Sequence, residues 1–201
     1  MATWVTRAAA RWQNPSMSTS RPSFGVFWPL HRAIVQNDIE AVRRLAARGI
    51  EQSSFGRAIT RIFLPPPLLV AVEHGSDEAI DALLDGGALP EEEWRSLFPL
   101  GKAAACGRVT TLRKLLALKP RPSSVVRAVL IAAYANELGS LRMLLGPGVD
   151  LNAAVRDEPE RWVWHHMSDE VLRYLVQTGL EPPPQVLELL QQTRPSRPVP
   201  G

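Results

Sequence analysis

A two-helix pattern that recurs five times along the chain is the feature that most limits how it can fold. Its first copy, PLHRAIVQNDIEAVRRLAARG, spans residues 29–49 and is typical of two short helices broken near residues 36–38. Segments that align with it without an internal gap start at residues 29, 67, 99, 128 and 159. Two helices this short cannot bury their apolar faces against each other alone. We therefore expect each pair to pack against the next copy.

Fixed columns within the unit identify the buried helix faces and the turns. Thirteen and sixteen positions after each start the residues are apolar, and the second of these columns is always leucine (Leu45, Leu83, Leu115, Leu144, Leu175). A spacing of three between apolar columns marks one face of a helix. Residues suited to helix-ending turns follow at two further columns (Asn37, Gly75, Gly107, Asn136; then Gly49, Gly87, Gly148, Gly179, with Lys119 departing). Four residues are expected to cap the second helices (Asn37, Ser76, Asn136, Ser168).

The pattern predicts an all-α solenoid of about five helix-turn-helix repeats. An irregular all-α domain is the alternative, because all amphipathic helices resemble one another. We expect a basic, acid-free leader over residues 1–24, a repeat domain over 25–186, and a capping helix end with a proline-rich tail over 187–201.

The pattern resembles the ankyrin repeat in its opening, Pro-Leu-His-Arg-Ala at residues 29–33, and in the ending Gly-Val-Asp-Leu-Asn-Ala at residues 148–153. The resemblance implies that His31 bonds to neighbouring backbone, that Ala33 allows close helix approach, and that the Gly-x-Asp-x-Asn ending begins a projecting β-turn. Other copies depart from the pattern: the connection over residues 52–66 is long, and Trp162 and Trp164 stand where smaller residues are usual. We therefore expect a distorted first helix in the fifth copy.

Charge gives little support to direct nucleic-acid binding. The formal net charge is +3, yet residues 1–37 contain four arginines and no acid, so the remainder holds 19 basic and 20 acidic residues. A phosphate-binding surface needs clustered lysine and arginine on one face, and no such cluster is visible. No apolar run approaches the roughly 18 residues of a membrane helix. A single cysteine excludes an internal disulfide framework and fits a reducing compartment.

Candidate catalytic and metal-binding residues have simpler structural interpretations. Cys106 lacks a local nucleophile signature and is better read as a structural thiol. His165 and His166 diverge by about 100° on an α-helix and cannot clamp one ion, so we expect no metal site and no cofactor. The run over residues 91–93 is expected to be a solvated turn, and Gly86-Gly87 to close a helix rather than bind phosphate.

The N-terminal segment supports two interpretations. Within residues 2–12 the apolar side chains fall on one helical face with Arg7 and Arg11 opposite, which is typical of a mitochondrial transit peptide. The alternative is a flexible leader, or a helix whose tryptophans cap the first repeat. Without the transit function we expect a cytoplasmic or nuclear protein.

The resemblance also implies a concave binding face lined by the sixth and seventh residues after each start. These are Val35, Gln36, Glu73, His74, Ala105, Cys106, Tyr134, Ala135, His165 and His166. Their mixed character suits a protein partner, with Tyr134 as an exposed aromatic anchor whose loss leaves the fold stable. We expect a monomeric, non-catalytic interaction module or adaptor. A transcription coregulator that acts through a DNA-binding partner is the first alternative, and an enzyme with a site formed across repeats is the second.

Overall fold

A computed structural model describes residues 29–48, 65–74, 76–146, 149–157 and 162–192. Within these ranges the chain is helical, apart from turns and one isolated antiparallel bridge between Trp94 and Leu97. Eleven α-helices are described there, with one 3₁₀ helix, Trp164–His166, between the ninth and tenth. They are α1 Pro29–Val35, α2 Ile39–Ala46, α3 Pro67–His74, α4 Asp77–Asp85, α5 Pro99–Ala105, α6 Val109–Ala117, α7 Pro122–Ala135, α8 Leu138–Leu144, α9 Leu151–Asp157, α10 Asp169–Gln177 and α11 Pro184–Gln192.

The first eight helices form two layers that run along the molecule. Helices α1, α3, α5 and α7 contact one another in order, and so do α2, α4, α6 and α8. Within each copy the two helices also contact each other as a hairpin. This arrangement confirms the all-α solenoid of helix-turn-helix repeats, and the alternative of an irregular helical domain is wrong.

The apolar columns form the interior of the solenoid. In the leucine column, Leu83, Leu115, Leu144 and Leu175 are at most 2% exposed, while Leu45 is partly buried. The column three residues earlier is equally well buried (Val42, Ile80, Leu112, Leu141, Leu172). These two columns therefore make one continuous seam through the copies, as their spacing predicts.

Left-handed residues end the helices at the predicted turn columns. Between the two helices of a copy, Asn37, Gly107 and Asn136 have φ between 56° and 65°. After the second helix, Gly87 and Gly179 have φ of 86° and 98°, and Lys119 adopts φ 54° although it is not glycine. The left-handed turn after the second helix is thus kept at residue 119, where lysine replaces glycine, because the helices before and after it pack as they do in the other copies.

Replacing Lys119 by glycine is therefore expected to stabilise the protein. A left-handed backbone is strained for a residue with a Cβ and relaxed for glycine, so the free energy of unfolding should rise by about 0.5–1 kcal/mol. Chemical denaturation measures the change. The matched control is Ala117→Gly in the last turn of α6, which should lower stability by a similar amount. Destabilisation by both variants would contradict a strained Lys119.

The capping residues are only partly those expected. Ser76 and Ser168 accept the N–H of Ala79 and Val171 and cap α4 and α10. The cap of α2 is Asp38, which accepts from Ala41, rather than Asn37. Asn136 is the C-cap of α7, and the N-cap of α8 is Glu137. Both asparagines occupy the left-handed turn position one residue ahead of the N-cap of the second helix, so the expectation that they would be the N-caps is wrong.

His31 makes the backbone bond that the resemblance implies. Its Nε2–H donates to the carbonyl oxygen of Pro65 at 2.8 Å, which joins the start of the first copy to the residues just before the second. The side chain is buried, and this burial lowers the pKa of the imidazole below its usual value. The neutral ring is thus the form that the folded state favours.

Acidification should therefore weaken the protein through His31. The unfolded chain takes up the proton at a pH near 6.5, where the buried ring still resists it. Stability is then complete above that pH and falls as the pH drops toward the lowered pKa of the folded state. Chemical denaturation gives the free energy of unfolding at each pH between about 7.5 and 5.5. This free energy should depend less on pH in His31→Gln than in the wild type, and as strongly as in the wild type in the exposed control His74→Gln. If the free energy of unfolding depended on pH equally in His31→Gln and the wild type, His31 would not be the source of the acid sensitivity.

The fourth and fifth copies differ from the simple pattern. Helix α7 starts at Pro122, ahead of the expected start at Ala128, and is the longest helix described. In the described part of the fifth copy, which begins at residue 162, the first-helix position holds the 3₁₀ turn Trp164–His166, with Trp162 and Met167 buried on either side. The expected distortion is therefore present in these residues.

Several predicted features lie outside the described residues or across an expected boundary. The leader 1–24, residues 52–64 of the long connection, the turn residues Gly49, Gly75 and Gly148, and the tail from residue 193 lie outside the described ranges. Helix α11 packs against α10 and extends across the expected boundary at residue 186. None of the described helices has the length and apolar character needed to cross a membrane.

Candidate functional site

The ten predicted binding residues lie in pairs at the ends of the first helices, and we call them the first-helix stripe. They occupy the ends of α1, α3, α5 and α7 and of the 3₁₀ helix in the fifth copy. Seven are exposed (Val35, Gln36, Glu73, His74, Cys106, His165, His166), Ala105 and Ala135 are half-buried, and Tyr134 is buried. Each pair lies just ahead of the turn that leads to the second helix of its copy.

The expected exposure of Tyr134 is wrong. Its side chain is 3% exposed, and its hydroxyl oxygen accepts the backbone N–H of Val163 at 2.7 Å. Burial raises the pKa of Tyr134 to about 12. The ring also meets His166 edge-on, with centroids 6.4 Å apart. Tyr134 therefore joins the fourth and fifth copies, and its removal is expected to destabilise the protein.

An ion pair that the sequence analysis missed crosses the stripe between the second and third copies. Lys102 Nζ lies 3.0 Å from Oε1 of Glu73, and the lysine side chain is 7% exposed whereas that of the glutamate is 56% exposed. A buried ammonium needs such a partner to offset the loss of water. Glu73 therefore stabilises the contact between the two copies, although more than half of its side chain is exposed to solvent.

Cys106 lies among charged side chains but is not an activated thiol. Desolvation raises the pKa of the thiol, and the opposing influence of Lys102 is smaller. Thiolate is the nucleophilic form of cysteine, so a raised pKa disfavours nucleophilic chemistry at neutral pH. Cys106 is the C-cap of α5, and part of the residue is exposed to solvent.

His165 and His166 are closer together than helical geometry predicts. Their ring centroids are 4.4 Å apart, although successive residues of a 3₁₀ turn diverge by about 120° along the backbone, so the expected divergence of the two rings is wrong. Both are exposed. In the described part of the chain no three histidine, cysteine, aspartate or glutamate side chains are grouped as metal ligands.

The acidic run over residues 91–93 is an inter-repeat contact rather than a solvated turn. Glu91 accepts from the backbone N–H of Arg121 and the hydroxyl of Ser124, and Glu93 pairs with Arg127 at 3.0 Å. The Ser124 hydroxyl is the main cause that lowers the pKa of Glu91. The expectation of a freely hydrated run is therefore wrong for two of its three residues.

These contacts could have been predicted from oppositely charged residues that lie about one repeat apart in the sequence. The same offset joins Asp81 to Lys114 at 2.7 Å and Asp77 to the hydroxyls of Thr110 and Thr111 at 2.9 and 3.0 Å. In a stack, equivalent positions of neighbouring units lie side by side, so a separation of about one repeat places two side chains in contact.

Comparisons with known proteins agree with this geometry. No protein-family model matches the chain, and no curated protein sequence matches it. Among solved structures, the crystal structure of the human ASB11 ankyrin repeat domain is similar, with a TM-score of 0.52 and 20% sequence identity. The match covers 84% of this chain and 100% of that one. At this identity the likeness shows the fold, and the chain has the ankyrin-repeat fold that its sequence resembles.

Proposed function

We propose that the chain is a non-catalytic protein-interaction module that binds a protein partner along the first-helix stripe. The ankyrin-repeat fold is generally a protein-protein interaction module. The observation that carries the proposal is the set of seven exposed side chains at equivalent positions of the first, second, third and fifth copies. A set of this kind can be contacted by one extended partner surface, because stacked repeats present their equivalent faces in register.

The composition of the stripe favours a protein partner over nucleic acid or lipid. Its exposed members include Val35, which is 44% exposed, Glu73 and three histidines, so no single charge dominates. Phosphate backbones and anionic membranes are bound by clustered lysine and arginine, and no lysine or arginine is among the ten stripe residues. A mixture of polar groups with an exposed valine suits the mixed surface of another protein.

Site-specific photo-cross-linking in cells tests the proposal. A photo-reactive amino acid is placed at Gln36, His74 or His165 in the full chain, one position at a time. We expect all three positions to capture the same protein, because the stripe is contacted as one surface. Purified partner should then bind His74→Ala more weakly, while the melting temperature of the variant stays unchanged.

Matched control positions lie on the opposite layer. Glu78 of α4 and Arg113 of α6 are exposed side chains of second helices, and cross-linkers placed there should not capture that protein. Capture from Glu78 and Arg113 with equal yield, or capture of unrelated proteins from each stripe position, would contradict binding along the stripe.

A further inference from the structure

The junction between the fourth and fifth copies is built differently from the three before it. At the earlier junctions a first helix packs on a first helix and a second helix on a second helix. At the last junction the incoming first helix is replaced by the 3₁₀ turn Trp164–His166. The final unit, residues 162–192, therefore joins the stack through side chains more than through a helix face.

Two side chains of the fourth copy hold the backbone of this final unit. The Tyr134 hydroxyl accepts the N–H of Val163 at 2.7 Å, and Oδ1 of Asn136 accepts the N–H of Ser168 at 2.6 Å. These two bonds lie on either side of the 3₁₀ turn. We call Tyr134 and Asn136 the latch.

Apolar packing continues across this junction, because Val171 and Leu175 are buried in the same core cluster as Leu144. Further polar and aromatic contacts lie at its edges. Asn152, on α9, bonds the Gly179 carbonyl and the Glu181 N–H, both at 2.8 Å. The Arg142 guanidinium lies 5.9 Å from the centroid of the Tyr174 ring. The bonds of Asn152 are exposed to water, as is the bond from Ser168 to Asn136, whereas the bond from Val163 to Tyr134 is partly buried.

We propose that residues 162–192 open and close as a unit separate from the first four copies, and that the latch holds this unit closed. The stability of a stack of repeats is approximately the sum of each unit and its interfaces, so the junction with the least helix packing is where the stack divides. Opening removes His165 and His166 from the first-helix stripe and uncovers the ring of Tyr134. Opening of residues 162–192 thus changes one end of the first-helix stripe while the first four copies stay folded.

Hydrogen–deuterium exchange of the full chain tests this division. In the wild type, the amides of α10 and α11 should exchange faster than those of α5 and α6. Tyr134→Phe keeps the ring and removes the acceptor for Val163, so exchange in α10 and α11 should accelerate about fivefold to tenfold while α5 and α6 stay unchanged. The matched control is Tyr174→Phe, the same change at the chain's other tyrosine, which should leave both regions as in the wild type.

Asn136→Gly provides an independent variant. Glycine keeps the left-handed backbone of this position, φ 58°, and removes the acceptor for Ser168. It should give the same pattern of faster exchange in α10 and α11 alone. Equal protection of α10 and α5 in the wild type would overturn the proposal, and so would equal acceleration of both regions by either latch variant.

Discussion

Replacing Leu144 by alanine is expected to lower the free energy of unfolding by about 2–5 kcal/mol. Leu144 ends α8 in the leucine column and is 2% exposed. Alanine removes three buried carbon atoms and leaves a cavity whose walls are helices of the stack, which can relax only in part. Chemical denaturation followed by circular dichroism at 222 nm measures the loss, since helix content reports the folded solenoid.

Leu189→Ala is the matched control for Leu144→Ala. Leu189 lies on α11 and is 60% exposed, so the same chemical change there should alter stability by less than about 0.5 kcal/mol. A loss of this small size in Leu144→Ala would mean that the leucine column is not the interior of the solenoid.

The interior of the fold could be predicted from the sequence because it depends on a local and repeated pattern. Leucine recurs at one position of every copy, and helical periodicity places it on the same face as the column before it. No long-range information is needed to see that such faces are apolar. Stacking of the copies then follows, because no single hairpin can bury its own apolar face.

The exposure of the stripe residues could be predicted only where the copies are regular. Gln36, His74 and Cys106 lie at the ends of complete first helices and are exposed as expected. Tyr134 lies one residue before the equivalent position, and the described part of the fifth copy beside it has a 3₁₀ turn there, with the backbone N–H of Val163 donating to the tyrosine hydroxyl. The burial of Tyr134 depends on how a different copy folds, and its own sequence context contains no sign of that.

Polar contacts between copies were missed for a related reason. Lys102 lies on a first helix among alanines, and its local sequence does not show that the side chain is buried against Glu73 of the preceding copy. Asp77 likewise meets Thr110 and Thr111 only because two second helices pack side by side. Such pairs can be found by comparing the polar residues at equivalent positions of neighbouring copies. Comparing only the apolar columns does not reveal them.

Replacing Trp162 by alanine is expected to destabilise the protein by about 3–5 kcal/mol, the largest effect among these variants. Trp162 is 4% exposed and stacks on Trp164 with ring centroids 5.4 Å apart. It belongs to the buried core and lies just ahead of the 3₁₀ turn Trp164–His166, so its truncation leaves a cavity in the core. Because residues 162–192 are proposed to open separately, the loss should fall on α10 and α11 and appear there as faster hydrogen exchange.

The neighbouring Trp164 is the matched control, since Trp164→Ala removes the same indole from the same short turn. Trp164 is only partly buried, so less apolar surface returns to water and the cost should be well below that of Trp162→Ala. Trp162→Phe should recover much of the lost stability, because a second aromatic ring fills most of the space and can still stack. If Trp164→Ala costs as much as Trp162→Ala, the burial of Trp162 is not what sets the loss of stability.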